Sequence, residues 1–220
     1  MLSVMTTMKS LFGLNVPTSL AEVCDREQLA LLVYDMQIGV AAQIKGAETI
    51  VANVGRVLRV ARDSGVRVFF TRHMSLPLPL MGVFQLRMAM MWQGVDEPGL
   101  VEPRFLRDSP DFSIVPALTP LGSEAIFDKI TMSAFEGTPL NIVLRDCGIK
   151  AVAIAGIALE VGIEPTVRHA IDLGFIPVII SDACGAGSEE AAHRALESLA
   201  FEGNALVTNV ATFIERIGRR

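Results

Sequence analysis

Only three cysteines, Cys24, Cys147 and Cys184, occur in 220 residues. No two of them form a Cys-x-x-Cys pair, and no His clusters with them. This spacing excludes a dense disulfide framework and reads as reduced thiols, hence a cytoplasmic protein. Basic residues are equally unclustered. The formal net charge is −5, and the Arg219–Arg220 end is too short to serve as a basic patch, so nucleic acid is not an expected partner. No stretch is apolar for long enough to cross a bilayer. Residues 1–20 lack the apolar core and small-residue cleavage site of a targeting segment. No Gly-rich phosphate fingerprint follows the first predicted strand, and no cofactor is implied.

What is present is a globular composition, 51% hydrophobic and 20% charged, enough for one well-buried domain. Residues 1–28 read as an N-terminal arm and residues 29–220 as a single domain. Residues 29–34 form an unbroken apolar run ending at Asp35, the pattern of a central parallel strand. Residues 47–64 show helical spacing, with Ile50, Val54, Val57, Leu58 and Ala61 on one face and Gly65 as the stop. Strands are predicted over 66–71, 124–128, 151–155, 177–181 and 205–208. Helices are predicted over 138–147, 164–173, 188–201 and 210–217, with Ser188 as an N-cap. Between residues 72 and 120 six prolines break the pattern, around a Met-rich amphipathic helix over 81–92. This alternation predicts a three-layer α/β/α fold with a mostly parallel central sheet.

Ligands in such sheets bind beyond the carboxyl ends of the strands. The residues predicted there are Asp35, Arg72 and His73, Lys129, the 156–162 turn and Asp182. A carboxylate and an ammonium sharing a desolvated crevice can handle a proton, or can be a structural ion pair. Gly162 opens the helix after the fourth predicted strand, where unpaired backbone N–H groups favour negative charge.

Taken in order, Asp35 within Asp-Met-Gln, Lys129, the strand-to-helix turn Gly156 to Gly162, Ser-Ala-Phe at 133–135 and Ser-Asp-Ala at 181–183 resemble the isochorismatase-like (cysteine hydrolase) superfamily. The resemblance covers roughly residues 29–213. It implies Asp35 as acid/base and Lys129 as its electrostatic partner. Gly162 stands where most members carry the nucleophilic Cys, and glycine has no side chain to attack with. One branch, the isochorismatases, also has Gly there and hydrolyses a vinyl ether by Asp-mediated protonation, which gives the closest reaction type. The alternatives are a non-catalytic binding protein and C–N hydrolysis by direct water attack. Each catalytic version expects open room above Gly162.

The resemblance further implies a non-proline cis bond at Ile157–Ala158, with the N–H groups of Ala158 and Gly162 forming an anion hole. Gln37, Arg72, Gln85, Arg87, Trp92 and Phe135 are the expected substrate-binding side chains. Glu160 has two readings: a carboxylate that activates water in the space of the missing thiol, or an acid facing solvent at a helix start. An anionic substrate would need Arg72 or Arg87 to offset it. His73 lacks an acidic neighbour in the motif that binds metal in the nicotinamidase-like branch, so no metal is expected. His169 and His193 read as packing or surface residues, and Cys184 as a packed thiol. The Met-rich segment reads as a lid or a subunit interface, and the expected partners are a small molecule and further copies of the chain, as a dimer or tetramer.

Overall fold

The computed structural model describes residues 9–203 and 205–218. Residues 1–8 of the expected arm lie outside the described residues. The rest of that arm holds an exposed hairpin, β1 (Lys9–Leu11) and β2 (Leu14–Val16), and a short helix, α1 (Leu20–Val23). Val23 is buried, and Leu20 and Cys24 pack against the main core. The arm therefore joins the body through its helical turn.

Six strands form one sheet: β3 (Leu29–Tyr34), β4 (Arg67–His73), β5 (Ala125–Lys129), β6 (Ala151–Ile157), β7 (Ile176–Gly185) and β8 (Leu206–Thr208). Their order is β5-β4-β3-β6-β7-β8, and each neighbouring pair is parallel. β3 is buried along its whole length, as its apolar run requires in a sheet covered on both faces. On one face, α3 (Ala47–Asp63) and α8 (Val210–Gly218) bury Val54, Val57, Leu58, Phe213 and Ile217. On the other, α5 (Leu140–Asp146), α6 (Glu164–Asp172) and α7 (Glu189–Glu202) bury Leu140, Leu144, Val167, Ala170 and Leu199. The predicted three-layer α/β/α architecture is the one observed. Boundaries move by a few residues, the largest change being β7, which runs on to Gly185.

The chain builds outward from β3 through β4 to β5, then returns to lay β6 on the other side of β3. The carboxyl ends of β3 and β6 thus flank the point where the winding reverses, the position at which such sheets open a crevice. A short helix, α2 (Ile38–Ala41), and the segment carrying α4 (Val83–Gln93) border that crevice. Among the described residues no helix is long and apolar enough to cross a membrane.

Candidate active site

Asp35 leaves the end of β3 with φ of +46°. This left-handed conformation costs a non-glycine residue about 1 kcal/mol, although Asp tolerates it better than most. It turns the carboxylate into the crevice. Thr71 Oγ1 donates to Asp35 Oδ1 at 2.7 Å, and Lys129 Nζ donates to Oδ2 at 2.6 Å. Both partners of the ion pair are buried. Lys129 also donates to the Thr131 carbonyl at 3.2 Å and lies 4.4 Å from the centre of the Tyr34 ring. The strands bring these groups together by register: His73 pairs with Lys129, and Arg72 with Asp128.

The pair opens into a cavity of about 290 Å³. Apolar groups dominate its wall, among them Ile44, Trp92, Phe105, Met132, Ile157 and Val161. The predicted site residues Asp35, Lys129, Ala158, Gly162 and Trp92 line it. The expected cis bond is present between Ile157 and Ala158.

The expected room above Gly162 is occupied. A β-carbon built on Gly162 would lie 2.6 Å from Tyr34 Cζ and 2.7 Å from its Cε1, and closer still to the hydroxyl oxygen. The phenol therefore fills the volume into which a side chain at Gly162 would project, and its hydroxyl donates to the Met132 carbonyl. Burial, then the neighbouring Asp35 charge, hold the Tyr34 pKa well above its usual value, with only partial relief from Thr166. The predicted anion hole also loses a donor. Leu159–Ile163 form one π-helical turn, in which the Gly162 N–H bonds the Ala158 carbonyl at 3.0 Å.

Six other predicted residues stand apart from the cavity wall. Glu160 accepts from the backbone N–H groups of Gly187 and Ser188 at 2.7 and 2.9 Å, bracing the entry to α7 instead of reaching a substrate. Arg72 pairs with Asp128 at 2.8 Å and stacks over Phe112, because the pleat sends it to the face opposite Thr71 and His73. Arg87 is on the exposed side of α4. Gln85 is buried beneath α4 beside a smaller recess of about 40 Å³, its amide donating to the Met74 carbonyl. Phe135 is core, stacked on Phe175. Gln37 is fully buried and clamps the backbone of His73, accepting from its N–H at 2.6 Å and donating to its carbonyl at 3.0 Å.

Sequence reasoning passed over Tyr34 and Phe105, and placed His73 at the crevice edge without giving it a role. Tyr34 is the only residue of β3 with a polar tip, and it sits at the strand's crevice end. His73 shares its strand face with Thr71 by simple alternation, a signal that would have favoured it over Arg72. Burial, then the Lys129 charge, lower the His73 pKa to about 4, against an opposing pull from Asp35. Burial similarly pushes Cys184 up to about 12, in keeping with a packed thiol. Among the described residues, no three His, Cys, Asp or Glu side chains gather where they could hold a metal ion.

Comparison with known proteins gives the context. The Isochorismatase domain family model matches residues 29–212. An uncharacterized isochorismatase family protein, YecD, from Escherichia coli O157:H7 is 32% identical over 164 residues, covering 73% of this chain and 81% of that protein. A cysteine hydrolase from Pseudomonas syringae pv. phaseolicola superimposes with a TM-score of 0.75 at 26% identity, over 88% of this chain and 93% of that one. An isochorismatase family protein from Desulfovibrio vulgaris has the same fold, with a TM-score of 0.74 at 20% identity over 89% of this chain and 100% of that one. With the family match spanning the whole sheet and its crevice, the chain belongs to the isochorismatase family.

Proposed function

We propose that the chain is a hydrolase of a small, uncharged, carbonyl-bearing metabolite. It uses water held in the cavity beside the Asp35–Lys129 pair, in place of the space above Gly162 that Tyr34 fills, and forms no covalent intermediate. The observation that carries this reading is the buried Asp35–Lys129 pair, in contact at 2.6 Å at the wall of a largely apolar cavity. Water's oxygen bonds to the carbonyl carbon, the carbonyl π pair moves onto its oxygen, and a water proton passes to Asp35. Collapse of the tetrahedral adduct breaks the bond to the leaving amine or alcohol, which takes the proton back from Asp35. Lys129 holds the carboxylate in place and balances its charge.

Two features support direct water attack over the vinyl-ether reaction. Thr71 and Lys129 each donate to a different oxygen of Asp35, an arrangement of donors that matches a carboxylate, whereas enol protonation begins from the acid. Lys129 is also the only Lys or Arg in the described cavity wall, and Asp35 already matches it. A dianion such as isochorismate would find no free counter-charge, since Arg72 is tied to Asp128 and Arg87 is outside.

A second reading, a binding protein that has lost catalysis, is favoured by Tyr34 filling the space above Gly162. Incubation with p-nitrophenyl acetate, a panel of small neutral amides and isochorismate separates the two. Turnover of a neutral ester or amide that vanishes in Asp35→Asn supports the hydrolase. Quenching of the single tryptophan, Trp92, without turnover of any compound supports the binding protein.

A further inference from the structure

An oxyanion that develops in an apolar cavity needs aimed hydrogen-bond donors. The π-helical turn removes the Gly162 N–H by bonding it to the Ala158 carbonyl. The polar side chains of the cavity wall are then Tyr34, Asp35, Gln43, His73, Lys129 and Trp92, the last half-exposed on α4. Tyr34 gives its proton to the Met132 carbonyl, and Gln43 donates to the Gly39 carbonyl at 2.8 Å. Lys129 gives two hydrogens to Asp35 and Thr131. Neither ring nitrogen of His73 bonds a described protein atom, and neither is among the polar atoms sealed from solvent without a partner. The ring nitrogens are therefore accessible, and the residue lines both the cavity and the smaller recess beside it.

We propose that His73 is a catalytic residue whose ring N–H donates to the substrate's carbonyl oxygen, taking over the role of the missing anion-hole donor. This rests on the carbonyl-hydrolysis reading above. The placement is rigid. Gln37 grips both backbone polar groups of His73, and the imidazole meets Phe105 edge-on at 5.9 Å between centroids. A donor fixed before reaction needs no reorganisation as charge develops. Held neutral by burial and by Lys129, the ring keeps one N–H across the ordinary pH range and adds no charge to the cavity. Gln37 is then a positioning residue, acting through His73.

The test compares two ketones, both read by Trp92 fluorescence. Trifluoroacetophenone adds water to its carbonyl and mimics the tetrahedral oxyanion; acetophenone does not. The native protein should bind the fluorinated ketone at least tenfold more tightly. His73→Phe, which keeps the aromatic packing, should bring the two affinities within about twofold, and His73→Gln should restore most of the difference. Proton NMR of the native protein supplies a reading that needs no variant: the His73 ring N–H should move downfield with trifluoroacetophenone only. Equal affinities in the native protein, binding of neither ketone, or undiminished discrimination in His73→Phe would overturn the proposal. Discrimination that depends on His73, in a protein that turns over no ester or amide, would keep His73 as a donor to a bound carbonyl oxygen but overturn both its catalytic role and the hydrolase reading.

Discussion

The Tyr34 phenol occupies the volume into which a side chain at Gly162 would project, with ring carbons 2.6 and 2.7 Å from the position of a β-carbon there. Glycine at 162 and tyrosine at 34 are thus one steric unit. The same ring carries the Lys129 ammonium 4.4 Å from its centre.

Gly162→Ala is expected to destabilise the protein by about 1–3 kcal/mol, the usual range for overpacking a filled core. Gly162→Cys should do the same and gain no amidase activity. Adding Tyr34→Ala should make the second substitution far less costly, giving a coupling energy of about 1 kcal/mol or more in a double-mutant cycle measured by urea unfolding. Additive effects would contradict the pairing.

Asp35→Asn removes the carboxylate paired with a buried ammonium. Its loss of stability should be about 3–5 kcal/mol, and Lys129→Met introduced alongside should recover much of it, because the unpaired charge goes with it. Turnover should be absent in both. Denaturant midpoints that are equal in the single and double variants would argue that the pair is not desolvated.

Glu160→Gln should leave turnover within about twofold, since an amide oxygen still accepts from the Gly187 and Ser188 N–H groups. Glu160→Ala loses both bonds and should cost about 1–3 kcal/mol. Abolished turnover with an unchanged melting temperature in Glu160→Gln would restore the water-activating role.

His73 gives a signed pH effect. Its pKa is near 4 in the folded protein against about 6.5 in the unfolded chain, so the unfolded chain binds more protons between those values. Stability from this group is complete above about pH 6.5 and is lost as pH falls toward 4, by up to about 3 kcal/mol. His73→Gln should flatten the chemical-denaturation stability curve across that window. A native curve with no slope attributable to His73 would show the ring to be solvated.

The strand run at 29–34, the helical face at 47–64 and the βα alternation prescribe a covered parallel sheet, because hydrophobic period and backbone bonding leave few other arrangements. Those same strand ends carry Asp35 and Lys129 to one edge, so the central pair was legible without coordinates. Strand pleat explains one failure: Arg72 and His73 are neighbours in the chain, yet only one can face the crevice. Contacts of the Met-rich segment were legible only in part: Trp92 was placed at the site, but where Arg87 and Phe105 fall depends on an irregular path that no local pattern fixes. Nor could the chain alone tell that Tyr34 would swing into the space over Gly162. These residues are separated by 128 positions, and only the packing of β3 beneath the π-helical turn decides which atoms share that volume.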